Sequence, residues 1–155
     1  MNDVFIQEID DFDWELISRI EKLEKRNLGS GASINRWVIP VIIRYGKFII
    51  AKKSKNGSDI IGVCELIRNW AIKNKVFIFS FYIDRDYRKK EIGKKLLQKV
   101  INILKDENFK EIELTVDPEN KAAARLYRGF GFKRINLRKD EYGKGINRDL
   151  MRLEL

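Results

Sequence analysis

The sequence predicts an α+β fold, with a mixed, mostly antiparallel sheet flanked by about four helices in a single domain over residues 1–155. Three observations lead there. Strand-like segments with a hairpin signal follow one another between Lys47 and Ile83. A helix-period segment then separates two strand-like runs, KVFIFSFYI and EIELTV. Such an order requires a parallel pair with a right-handed crossover. Hydrophobic residues make up 44% and charged residues 35%, which suits a globular chain with a real core.

The elements follow in order. Val4–Ile9 reads as a first strand. Asp10, Asp11 or Asp13 can cap a helix to about Lys25, with Trp14, Ile17, Ile20 and Leu23 at helical spacing. NLGSGAS, Asn27–Ser33, reads as a loop. Ile34–Tyr45 suits either a short helix interrupted by Pro40 or a β-branched strand. Lys47–Lys53 and Asp59–Ile67 flank SKNGS, where Asn56-Gly57 signals a hairpin because both residues tolerate positive φ. Lys75–Ile83 is nearly continuous in apolar residues and reads as a strand buried on both faces, the third of a meander.

Ile92, Leu96, Leu97, Val100, Ile101 and Leu104 then mark a helix to about Glu107. Glu111–Val116 is a strand broken by Asp117-Pro118. Asn120 begins a second helix through Tyr127, ended by Gly129 and Gly131. Phe132–Leu137 and Asp149–Leu155 complete the strands.

Composition narrows the chemistry. No histidine is present, and Cys64 is the one cysteine. The usual general base and a zinc site are therefore missing, and Cys64 lacks a histidine to activate it. It reads as a small buried residue. No run is apolar for long enough to span a bilayer, the N-terminus MNDVFIQEID is unlike a signal peptide, and a lone cysteine suits the cytoplasm. A net charge of +9 admits an anionic cofactor, an acidic substrate or nucleic acid.

RKKEIGKK, Arg88–Lys95, places five basic residues at a helix start, where the helix end is itself partly positive. Unpaired backbone N–H groups there suit phosphate oxygens, and Gly93 lets the backbone approach closely. By itself such a run more often marks a solvated surface. Neither G-x-x-x-x-G-K-[ST] nor G-x-G-x-x-G occurs.

The stretch YIDRDYRKKEIGKKLLQKV followed by LTVDPENKAAARLYRGFGF strongly resembles the GNAT superfamily of N-acetyltransferases over Val76–Phe132. Its cofactor loop, [QR]-x-x-G-x-[GA], is matched by Arg88-Lys89-Lys90-Glu91-Ile92-Gly93. Its second signature is matched by Asn120, Ala122–Ala124, Tyr127 and Gly131-Phe132. The resemblance implies a GNAT-like acyl-CoA fold with a splayed parallel pair and acetyl-CoA as co-substrate, without a metal. An acetyl group would pass by direct attack to a primary amine of a small molecule, amino acid, peptide or protein. It assigns the cofactor to backbone groups of Phe81, Tyr82 and Ile83, to the loop Arg88, Lys89, Lys90, Glu91, Ile92, Gly93 and Lys94, and to Asn120 and Tyr127. Tyr127 is implied as the acid that protonates the leaving thiolate, a role open to a phenol of pKa about 10.

One departure stands out, because the family's first loop glycine is Glu91 here. We expect Glu91 to point to solvent, with Arg88, Lys89 and Lys90 offsetting its charge. The base used by some peptide-acetylating relatives is replaced by Thr115. Glu65, a carboxylate in an apolar strand, is the candidate base. Glu113 is a second, although alternation puts it with Glu111 on an exposed face. Trp37, Tyr45, Trp70 and Tyr142 are candidates to line an acceptor pocket. Two rival readings are a basic nucleic-acid-binding domain, for which RGFGF at Arg128–Phe132 is suggestive but misplaced in a helical pattern, and a non-catalytic acyl-CoA sensor. The sequence leaves a homodimer open.

Overall fold

The computed structural model describes residues 3–155, the Ser30 side chain excepted. The strands are β1 (Phe5–Ile9), β2 (Lys47–Lys52), β3 (Ile60–Arg68), β4 (Lys75–Ile83), β5 (Glu111–Val116), β6 (Lys133–Arg138) and β7 (Arg148–Glu154). The helices are α1 (Trp14–Ala32), α2 (Ile39–Tyr45), α3 (Ile92–Asp106) and α4 (Lys121–Gly129). One seven-stranded sheet has the order β1-β2-β3-β4-β5-β7-β6. The parallel pair is β4 with β5, and its register runs from Lys75↔Glu111 to Ile78↔Leu114. β4 continues past that ladder to Ile83.

The chain divides into two compact units. The first takes in the chain up to Ile67 and Phe79–Asn102; the second holds Arg68–Ile78 and Ile103–Leu155. In the first unit Ile17 and Ile20 of α1, Ile39, Ile42 and Ile43 of α2, Phe48 and Ile50 of β2, and Val63 of β3 form a buried cluster with Tyr82. Along α3 the expected apolar stripe, Ile92, Leu96, Leu97, Val100, Ile101 and Leu104, is buried throughout. In the second unit Ile112, Leu114, Tyr127, Phe132, Leu150 and Met151 are buried.

Local chemistry explains the helix ends. Asp13 caps α1, its carboxylate accepting the Leu16 N–H at 2.8 Å. α1 runs past the expected stop at Lys25, and the expected loop is largely helical; Gly29, at φ 74°, interrupts the helical path. Pro40 does not break α2, because it lies in the first turn, where no N–H is needed. Gly46 joins α2 to β2, and a Cβ there would stand 2.4 Å from the Leu66 carbonyl oxygen. RGFGF ends α4: Phe132 N–H donates to Tyr127 O at 3.1 Å and Gly131 N–H to Arg128 O at 2.9 Å. Gly131 takes the φ of 93° that this double bond requires.

The hairpin differs from expectation in detail. Neither Asn56 nor Gly57 adopts a positive φ. The chain turns through Ser54–Gly57, and Lys53 N–H donates to Asp59 O at 3.1 Å. A register shift between Ala51 and Lys52 absorbs the longer loop.

Candidate active site

In the first unit β4 leads through a 3₁₀ turn, Arg85–Tyr87, into the basic loop and α3. No backbone N–H from Arg88 to Lys94 has a partner among the described residues; Lys95 is the first to bond, donating to Glu91 O at 3.1 Å. A run of unpaired donors at the positive end of a helix suits a polyanion. The fit to a diphosphate is chemical: several N–H donors, lysine side chains nearby and Gly93 without a side chain.

The loop's backbone accounts for the glycine departure. Glu91 sits at φ 62° and Lys89 at φ 60°, a region costing a residue with a Cβ about 1–2 kcal/mol. Glu91 thus keeps the conformation that a glycine would favour. Its carboxylate pairs with Lys94 Nζ at 2.8 Å, both side chains being exposed. The expected solvent-facing Glu91 is what the structure shows, though its charge is met by Lys94 and not by Arg88.

Arg88 braces the loop. Its Nε donates to Ile83 O at 3.0 Å and its guanidinium to Asn27 Oδ1 at 3.4 Å. Asn27 Oδ1 also accepts the Arg85 N–H at 3.0 Å. Lys90 Nζ lies 5.3 Å from the centre of the Tyr87 ring. Lys89 has no side-chain partner among the described residues and is the loop's uncommitted cation. Beside the loop a cleft of about 260 Å³ is lined by Val4, Lys53, Ile61, Tyr87, Lys90, Ile92 and Lys95.

The first unit also holds buried acidic side chains that the sequence showed only in part. Glu65 of β3 and Glu24 of α1 are both 0% exposed, and Tyr82 of β4 is buried with them. None of the carboxyl oxygens of Glu24 and Glu65, nor the Tyr82 hydroxyl, meets a partner at hydrogen-bond geometry. Burial, then the neighbouring Glu24, drives the Glu65 carboxyl far above the usual range. Burial also raises Glu24, and its neighbours Glu65, Tyr82 and the Ile34 backbone offset only part of that. Tyr82 is pushed upward by burial and by the same two carboxyls, so it stays a phenol. Cys64 is buried as expected, and burial with the charge of Glu65 raises its thiol. Asp84 pairs with Arg26 Nε at 3.1 Å, and Arg26 also pairs with Asp86.

The second unit carries the other motif. Asn120 caps α4, its Oδ1 accepting the Ala123 N–H at 3.1 Å, so the structural role open to it is in use. Tyr127 is buried on α4, its ring centre 5.6 Å from that of Phe132. Thr115 bonds the Tyr142 hydroxyl at 2.9 Å. Glu113 is not exposed as alternation suggested. It is buried and receives Lys75 Nζ at 2.9 Å and Arg152 at 2.8 Å. Burial alone would raise its carboxyl, but those two bonds outweigh burial and hold it low. A base held ionised by two cations is a poor proton acceptor. Of the aromatic candidates, Trp37 and Tyr45 in the first unit and Trp70 and Tyr142 in the second are all exposed.

These features agree with comparison to known proteins. The model of the acetyltransferase (GNAT) family matches residues 12–132. The chain belongs to the GNAT family. The match begins well before Val76, so the family pattern also takes in α1, α2 and the first hairpin. N-alpha-acetyltransferase 30 of Xenopus laevis is 31% identical over 101 residues, 64% of this chain and 36% of that protein. N-alpha-acetyltransferase 30 of Saccharomyces cerevisiae is 32% identical over 90 residues, 56% of this chain and 51% of that protein. The chain therefore aligns with only part of these relatives. A crystal structure of the NatC complex bound to Gag peptide and CoA contains a chain with the same fold, at TM-score 0.82 and 24% identity over 98% of both chains. As in the GNAT fold, the sheet here is mixed with one parallel pair. The RNA-binding reading loses its motif, because RGFGF closes a helix.

Proposed function

We propose that the chain, as one domain over residues 1–155, transfers an acetyl group from acetyl-CoA to the α-amine of a peptide. The observation that carries this reading is the unbonded run of N–H groups from Arg88 to Lys94 opening α3. Family membership supplies the reaction class, and the two N-alpha-acetyltransferase relatives point to the acceptor.

Acetyl-CoA, when bound, supplies an acetyl thioester and a thiolate leaving group. The loop amides and Lys89 would hold its diphosphate, and backbone groups of Phe81, Tyr82 and Ile83 its pantetheine arm. Asn120 would serve that arm in addition to its cap. Glu65 would take the proton that the acceptor's ammonium must lose before it can attack. Tyr127 would deliver a proton to the departing sulfur. No step draws on a metal. A cytoplasmic setting goes with the lone buried thiol, and among the described residues no helix is long and apolar enough to cross a membrane. A homodimer belongs to the same proposal and is read by light scattering.

Thiol release is the test. The protein is incubated with acetyl-CoA and a panel of peptide α-amines, lysine side chains, amino acids and small amines. Faster release with α-amine peptides is expected. Tight acetyl-CoA binding with no release for any amine would replace the enzyme with a sensor. Salt-dependent RNA binding without acetyl-CoA binding would remove the proposal altogether.

A further inference from the structure

Four apolar side chains on α2 and the turn before it face solvent together. Bonds from the Val38 and Ile39 N–H groups to Asn35 O, at 3.0 and 3.1 Å, carry the helical path back to Arg36. Trp37, Val41 and Tyr45 therefore stand at i, i+4 and i+8 on one face, with Val38 beside them. Trp37 is 80% exposed and Tyr45 86%, and Val38 and Val41 are exposed as well. Ile39, Ile42 and Ile43 are buried on the other side, so the helix cannot turn the stripe inward. The cleft beside the basic loop is lined by none of the four. Single exposed apolar residues are ordinary, but a contiguous aromatic stripe marks a surface that something covers.

We propose that a second copy of this chain covers it, with the two α2 helices antiparallel across a two-fold axis at Val41. Residue order makes the stripe self-complementary. An aromatic ring stands about one turn to either side of Val41, so Trp37 of each copy meets Tyr45 of the other and Val41 meets Val41. Charge permits the pairing in spite of the net +9. Arg36 pairs with Glu21 at 3.4 Å; Arg44 pairs with Asp11 at 3.2 Å and lies over the Phe12 ring. Both arginines beside the stripe are thus already met by a carboxylate, which suits a like-charged copy better than an anionic surface. Area agrees. Two aromatic side chains of about 150–250 Å² each, with two valines, supply about half of the roughly 800 Å² that one partner gives to a standard interface. The paired arginines and their carboxylates form its polar rim. This gives a face to the homodimer of the proposed function, and it is independent of acetyl transfer.

Sedimentation velocity tests it, run from about 1 to 300 μM on wild type, Val41→Glu and Trp37→Ala. Wild type should pass from monomer to dimer over that range. Val41→Glu sets two carboxylates face to face and should weaken the dimer about 100-fold, and Trp37→Ala about 30-fold. Val41→Cys should form a symmetric disulfide-linked dimer under mild oxidation, whereas wild type, whose Cys64 is buried, should not. That readout serves if Val41→Glu fails to fold. Wild type that stays monomeric throughout overturns the face and the homodimer together. A dimer that survives Val41→Glu and resists the Val41→Cys bridge lies on another surface, and overturns the face alone. A monomer that binds neutral phosphatidylcholine vesicles through Trp37 would give the stripe to a membrane and overturn the pairing.

Discussion

Glu91 is the residue at which this chain departs most sharply from the family's loop. Two terms oppose each other there. A side chain in the left-handed region costs about 1–2 kcal/mol, while the freedom that glycine regains in the unfolded chain costs about 0.4–1 kcal/mol. Glu91→Gly should therefore gain only about 0.5 kcal/mol of stability, the small surplus of those terms. The clearer effect should be on cofactor affinity, because the change removes a negative charge and frees Lys94. A several-fold tighter dissociation constant for CoA is expected by calorimetry, and an unchanged or weaker one would show that Glu91 does not oppose the phosphates. Glu91→Gln separates the effects, since it frees Lys94 but keeps the strained backbone. Tyr127→Phe tests the proposed acid. A drop of about 100-fold in kcat is expected with little change in KM, and an unaffected kcat would return Tyr127 to a packing role.

At the scale of elements, the apolar stripe of α3 was legible from its sequence, because all six spaced residues are buried. α2 was ambiguous because β-branched residues suit strands and Pro40 usually ends helices. Only its place in the first turn resolves the conflict. Glu113 misled for a different reason. Alternation identifies a face but not what covers it, and here Lys75 and Arg152 cover it from two neighbouring strands. Glu113→Gln leaves those cations short of a partner, and a loss of about 2 kcal/mol is expected in urea unfolding; a change within about 0.5 kcal/mol would mark the network as ornamental. The sequence showed a segment ending at Tyr45 and a strand from Lys47, but not what their junction at Gly46 must avoid. The carbonyl that forbids a side chain there comes from Leu66, far along the chain. Gly46→Ala should cost about 1–3 kcal/mol through that clash, read as a lowered melting temperature.

For the molecule as a whole, buried acids set how stability follows pH. Glu24 and Glu65 have folded values raised above their ordinary one, so their contribution is full below about pH 4.5 and is lost as pH rises through the folded values, at up to about 1.4 kcal/mol per pH unit for each proton. Glu113 is lowered, and its contribution is present above that ordinary value and lost as pH falls through the folded one. Melting temperature should thus peak on the acid side of neutrality. Glu65→Gln, which cannot ionise, should melt above wild type at about pH 9 and no higher at about pH 5. Equal melting at both would mean that burial does not raise this carboxyl. Glu65 could be picked out from its apolar strand, but Glu24 could not. It lies among the charges of IEKLEK, where nothing in the sequence sets it apart from its neighbours, and only the structure shows it buried.

The proposal as a whole depends on amide groups gathering a diphosphate. The direct measurement is an amide NMR titration of the protein with CoA. The largest shifts should fall on Arg88–Lys94, saturating together with a single dissociation constant. Saturable CoA binding that leaves those amides unmoved, or no binding at all, would contradict it.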